Sequence, residues 1–241
     1  MNDKNSPGRI EKPTSSVRQS TWEWTKSIAV ALVIWIVVRS LLVEAFRIPS
    51  GSMENTLLIG DFLFVNKTLY GAEIPLSSRH LPAIREPKRL DIVVFRHVTE
   101  EGTNVVKRVI GMPGDTLSMK DNVVLINGRP LDEPYVIRTD PLYDPELPEL
   151  LWTVKYLAGK KPANYRPTLK NWGPIVVPRD SFMVMGDNRD NSLDSRYWGF
   201  LGRDRIRGRP LVIYYSYDKD GVLPLRFLTA IRWGRIFSSP H

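Results

Sequence analysis

One long apolar run dominates the chain, and it lies near the amino terminus. Ile28 to Val38 is preceded by Trp22, Trp24 and Lys26, then interrupted by Arg39 and continued by Leu41, Leu42 and Val43. Counted from Trp22, it reaches Val38 in about 17 residues, the short end for a membrane-spanning helix. The expectation is a transmembrane anchor over 22–43, with the tryptophan pair at the near interface and Arg39 reaching the far headgroups. Residues 1–21 are polar, carry Pro7 and Pro13, and read as a disordered tail. Lys4, Arg9, Lys12, Arg18 and Lys26 precede the run, which keeps the amino terminus in the cytoplasm and sends residues 44–241 outside. A cleaved signal peptide and a buried core helix are the rival readings. The leader is long for the first, and no small-x-small site follows the run.

Behind the run the texture turns to β. Phe62–Val65, Asp91–Phe95, Val105–Ile110, Val123–Ile126, Ile175–Val177, Phe182–Met185 and Leu211–Tyr217 are short apolar segments, several rich in β-branched residues. Asn127-Gly128 after Val123–Ile126 is a strong hairpin signal. Strands do not alternate with helices, so a parallel sheet is not expected. Residues 138–171 carry many prolines without periodicity and read as a loop-rich lobe inserted in the β domain. The stretch from Leu223 to Phe237 mixes apolar residues with Arg226, Arg232 and Arg235, and fits a membrane-surface segment or a packed terminus equally.

Composition narrows the chemistry. The 241 residues leave room for an anchor and one domain with an inserted lobe. With no cysteine there is no disulfide framework, thiolate nucleophile or cysteine metal site. His80, His97 and His241 are scattered without ligand spacing. The formal charge of +8 is spread along the chain, which suits an anionic membrane surface better than nucleic acid.

Three stretches can carry a reaction. Pro49-Ser50-Gly51-Ser52-Met53 builds a fixed turn able to aim a hydroxyl and its backbone N–H at one point. Lys107 lies in an apolar strand, sharing a face with Val105 and Val109. Burial there disfavours the ammonium and fits lysine as a general base; the bland alternative is an edge lysine whose head reaches water. Gly186 to Gly199 is a dense polar stretch entered from an apolar strand. A calcium-loop template counted from Asp190 fails at Ser195 and Leu201. Gly-x-Ser-x-Gly, P-loop and Gly-x-Gly-x-x-Gly patterns are absent from the sequence.

Pro49-Ser50-Gly51-Ser52-Met53, Gly60-Asp61 with Asn66-Lys67, Lys107-Arg108-x-x-Gly111-x-Pro113-Gly114-Asp115, and Gly186-Asp187-Asn188-Arg189-Asp190-Asn191-Ser192-x-Asp194-Ser195-Arg196 resemble the ordered boxes of the bacterial signal peptidase I family. The resemblance covers about residues 28 to 217. It implies a membrane-bound serine endopeptidase that removes signal peptides from exported preproteins with a Ser-Lys dyad, cutting after small residues of Ala-x-Ala type. Ser52 resembles the nucleophile and Lys107 the base. Ser50 resembles the oxyanion-hole hydroxyl, Ser192 the group that orients the amine, and Asp194 part of the supporting network. Phe46, Ile48 and Val106 fall where the family binds small substrate side chains. Simple alternation puts Val106 opposite Lys107, so a bulge or twist is expected to bring both to one cleft. The fold implied is mainly β, an antiparallel-sheet catalytic domain with a loop-rich lobe behind one amino-terminal transmembrane helix at the bacterial cytoplasmic membrane. Signal peptides and the bilayer are the implied partners; no metal, cofactor or nucleic acid is. A self-cleaving repressor-type Ser-Lys protease and a membrane-tethered binding module remain as alternatives.

Overall fold

A computed structural model describes residues 17–74, 77, 79, 81–100, 102–140, 142–222 and 224–240. The first part of the expected leader, His80, His241 and Leu223 lie outside the described residues. The chain divides into a segment through Arg39 and a compact body from Ser40 onward.

The first segment is helix α1, Val17–Val37, continued by a π-helical turn Val38–Leu42. Among the described residues no helix is long and apolar enough to cross a membrane. Helix α1 and the turn after it run through most of the stretch read as an anchor, 22–43. Glu23, Thr25, Lys26 and Ser27 dilute the first half of α1, and its continuous apolar part, Ile28 to Val37, rises only about 15 Å. Val43, counted to the anchor from sequence, instead opens a strand.

The body carries β1 Val43–Arg47, β2 Asp61–Asn66, β3 Ile92–Arg96, β4 Asn104–Gly111, β5 Thr116–Lys120, β6 Val123–Ile126, β7 Arg129–Pro130, β8 Trp172–Val176, β9 Ser181–Met185, β10 Leu201–Gly202 and β11 Ile206–Ser216. Two short helices, α2 Ser195–Trp198 and α3 Arg226–Thr229, accompany them. The strands form a seven-stranded sheet in the order β1-β2-β11-β3-β4-β9-β10 and a four-stranded sheet in the order β7-β6-β5-β8. Every strand pairing is antiparallel, as the lack of strand-helix alternation implied. Asn127 and Gly128 both take positive φ at the β6–β7 turn, the conformation a tight hairpin needs.

Side-chain alternation places the cores. On β3, Ile92 and Val94 pack with Leu63, Val65, Val106 and Ile213 on one face, while Val93 and Phe95 pack with Val109, Val184 and Ile206 on the other. On β9, Phe182 and Val184 join the second of these cores, whereas Met183 and Met185 join a third with Leu117, Val124 and Ile175 of the small sheet. Strands apolar on both faces are therefore buried on both faces. The described residues of 138–171 carry one 3₁₀ helix, Pro148–Tyr156, and insert Leu147, Leu150 and Leu169 into that third core. In the carboxy-terminal stretch, Arg235 pairs with the buried Asp61 at 2.6 Å and Arg232 with Asp218 at 3.1 Å. These pairs fasten the terminus to the body, while Phe227, Leu228, Trp233 and Phe237 stay exposed.

Candidate active site

Pro49 and Ser50 lead from β1 into a 3₁₀ turn, Gly51–Met53, that holds Ser52 at only 8% exposure. The turn is anchored at both ends. Ile48 N–H donates to Asp61 O at 2.9 Å, and Asn188 N–H donates to the carbonyl of Ser52 at 3.1 Å. Lys107, in the middle of β4, is 2% exposed and donates from Nζ to Ser52 Oγ at 2.6 Å. The edge-lysine reading is therefore excluded. Burial pushes the Lys107 ammonium down to about 8 from its ordinary 10.5. Asp194 and Asp187 oppose that fall, and Arg196 adds to it.

β3 and β4 pair without interruption from Asn104 to Arg108, so no bulge lies at Val106–Lys107. The expected bulge is replaced by reach: the four-carbon stem of Lys107 carries its amine to the serine. Val106 meanwhile joins Ile48, Met53, Leu57 and Phe46 in the core beside the turn. Phe46, Ile48, Ser50, Ser52, Asn104 and Val106 are among the residues that line one cavity of about 20 Å³. A cavity of that size holds little more than one water-sized group.

Ser50 is exposed, with its hydroxyl 3.4 Å from Ser52 Oγ. Ser192 is 7% exposed, and its hydroxyl has no hydrogen-bond partner among the described residues. The bond to the lysine amine implied by resemblance is not formed in this structure. The Ser192 hydroxyl instead lies against Gly186, where an added Cβ would overlap both it and the carbonyl oxygen of Ser52. Glycine is required there because two chain segments meet with no room for a side chain. Asp194 is fully buried, pairs with Arg196 at 2.8 Å, and accepts from the N–H of Gly186 at 3.0 Å. Burial is the largest influence and would raise its carboxyl, but the charge and hydrogen bond of Arg196, with the N–H groups of Gly186 and Arg196, together hold it below the usual range.

Residues not singled out from sequence complete the polar side. Arg108 grips Asp187 through Nε at 2.9 Å and Nη2 at 2.6 Å, with Thr56 Oγ1 donating to the same carboxylate at 2.6 Å. Arg189 pairs with Glu133, both almost fully buried. Both arginines and Asp187 stood inside the quoted boxes, but nothing in their spacing names the acid that each arginine meets.

An antiparallel β body that seats a serine hydroxyl on a buried lysine amine has the groups for acyl transfer without histidine. That is the class of the Ser-Lys hydrolases. The family described as signal peptidase, peptidase S26, matches residues 21–215. A signal peptidase I of Pseudomonas aeruginosa is 40% identical over 234 residues, spanning 87% of this chain and 80% of its own length. One from Pseudomonas fluorescens is 36% identical over 214 residues, spanning 82% and 73%. A crystal structure of a signal peptidase I from Enterococcus faecalis, 30% identical, covers 53% of this chain and 98% of its own, with a TM-score of 0.36. The chain belongs to the signal peptidase family, peptidase S26. Its activity is that of a serine endopeptidase that removes signal peptides. The repressor-type protease and the binding module both give way to this assignment.

Proposed function

We propose that Ser52 is the nucleophile and Lys107 the general base, and that the enzyme cuts after small residues at the outer face of the bacterial cytoplasmic membrane. The observation that carries the dyad is the 2.6 Å contact between a buried amine and the serine hydroxyl. An amine lowered to about 8 is partly neutral near physiological pH and can take the serine proton. Ser52 Oγ then attacks the scissile carbonyl carbon. The N–H of Ser52 and the hydroxyl of Ser50 face the developing oxyanion, and Lys107 returns its proton to the leaving amine. Water, deprotonated by the same amine, releases the acyl group. Asp194 holds the backbone of Gly186 beside the turn, and Ser192 orients the amine once substrate is bound.

The cavity of about 20 Å³ beside Ser52 supports selection of small side chains. An extended substrate sends alternate side chains to one side, so the first and third residues before the cut face Phe46, Ile48 and Val106. Ser52→Ala tests the chemistry: a folded protein with no detectable cleavage of a preprotein is expected. Residual turnover above about one thousandth of wild type would remove Ser52 from the role.

Attachment to the membrane is supported by α1, where Ile28, Val30, Leu32, Val33, Ile34, Trp35 and Ile36 are all exposed and leave no polar face from Ile28 on. The basic leader argues for an amino terminus in the cytoplasm and a body outside. In vesicle flotation, the full chain is expected at the lipid interface and a chain beginning at Ser40 to lose most of that recovery. Equal flotation of the two would take the anchoring role from α1.

A further inference from the structure

Between the small sheet and the inserted lobe the chain passes through residues 133–137, and this strap touches three of the segments around the dyad. Ile137 N–H donates to Asp187 O at 2.9 Å, Arg189 N–H donates to Ile137 O at 3.1 Å, and Ile137 bridges Asn188 in parallel. The stretch it grips is the one whose Asn188 N–H holds the carbonyl of Ser52. Tyr135 lies with its ring 3.9 Å from the guanidinium carbon of Arg108, the residue after the base. Its hydroxyl donates to Glu133 at 3.0 Å, and Glu133 closes the strap on Arg189. Asn55, three residues past the nucleophile, donates from Nδ2 to Tyr135 O at 3.2 Å. The strap therefore meets the serine turn, the base strand and the polar stretch at once.

We propose that Tyr135 is a positioning residue for the dyad, its ring capping the Arg108–Asp187 pair and its strap keeping Ser52 in register with Lys107. The stacked ring shields the guanidinium from water and keeps Asp187 fully engaged. The charged groups around the amine are Asp187, Asp194 and Arg196 of the polar stretch and Arg108 of its own strand, with Glu54 of the turn bonded to Asn188. With the ring gone, water reaches the pair, the low-dielectric surround of Lys107 relaxes, and the ammonium form recovers. Less base is then neutral at pH 7, and more alkaline solution restores it.

The inference rests on Ser52 and Lys107 forming the dyad, and its test reads a displaced pH profile, whereas failure of the dyad itself reads as activity surviving in Ser52→Ala. For the full chain acting on a preprotein, Tyr135→Leu is expected to lower kcat about tenfold at pH 7, with KM within about twofold. The rising limb of kcat/KM should move up by about one pH unit, so that most activity returns in alkaline buffer. Tyr135→Phe keeps the ring and should leave the limb in place. A folded Tyr135→Leu protein with an unmoved limb overturns the proposal, whatever its overall rate. If Tyr135→Leu does not fold, Asn55→Gly decides. It keeps the positive φ of that exposed position and cuts one strap bond. A limb displaced in the same direction by a few tenths supports the strap, and an unmoved limb overturns it.

Discussion

The apolar wall beside Ser52 and the polar stretch 186–196 meet the same side chain by opposite physics. The side chains of Phe46, Ile48, Met53 and Val106 are held by packing, and none brings a charge. Across from them Asp187, Arg189, Asp194 and Arg196 are all nearly or fully buried, and each finds an oppositely charged partner. A packed wall deforms by degrees when an atom is removed. A buried ion pair fails at once, because the remaining charge has no water to replace its partner. In the proposed reading, selectivity, which can be graded, falls on the deformable side, and the base, which must be set at one value, falls on the side that does not deform.

The sharpest way to break this contrast is at the base itself. Lys107→Arg keeps the positive charge but cannot supply a neutral amine, so turnover should fall by about a thousandfold or more in a folded protein. In wild type, kcat/KM should climb about tenfold per pH unit below a value near 8 and flatten above it. A limb near the ordinary lysine value would mean the amine is not desolvated in the free enzyme. On the polar side, Asp194→Ala strands Arg196 and removes the acceptor of the Gly186 N–H. Unfolding in urea should register a loss of about 3–5 kcal/mol. A loss below about 1 kcal/mol would make the pair no more than a surface contact. On the apolar side, Ile48→Ala, at a site only 3% exposed, should leave a folded protein less stable by about 2 kcal/mol. Its sequenced cleavage products should begin to include Val or Leu before the cut. An unchanged cleavage pattern would take Ile48 out of the pocket.

The strands were readable where β-branched residues crowd, as in Ile92–Arg96 and Asn104–Gly111, because such segments fit a sheet buried on both faces. Thr116–Lys120 was not readable: Leu117 and Met119 alternate with Thr116, Ser118 and Lys120 without that signature, although this strand is central to the small sheet. β1 was partly hidden, since its first residue, Val43, continues the apolar run while its strand character comes from pairing with β2, an event no local pattern announces. Serine and lysine were legible as a pair only through four boxes taken together. Their contact joins residues 55 positions apart. Glu133 gave no signal at all, because a buried acid is recognised only by the arginine that neutralises it, here 56 residues away.

The order of strands in the large sheet also has a consequence in time. β1 and β2 flank the turn that carries Ser52, β3 and β4 carry Lys107, and β11 is the strand hydrogen-bonded between these two pairs. A growing chain emerges amino terminus first, so the pair around Ser52 and the pair that carries Lys107 are both made before residues 206–216 arrive to join them. Until then the two pairs lack the strand that is hydrogen-bonded between them. The seat of Lys107 on Ser52 is thus spanned by a strand drawn from the far end of the sequence, the last of the eleven to be made.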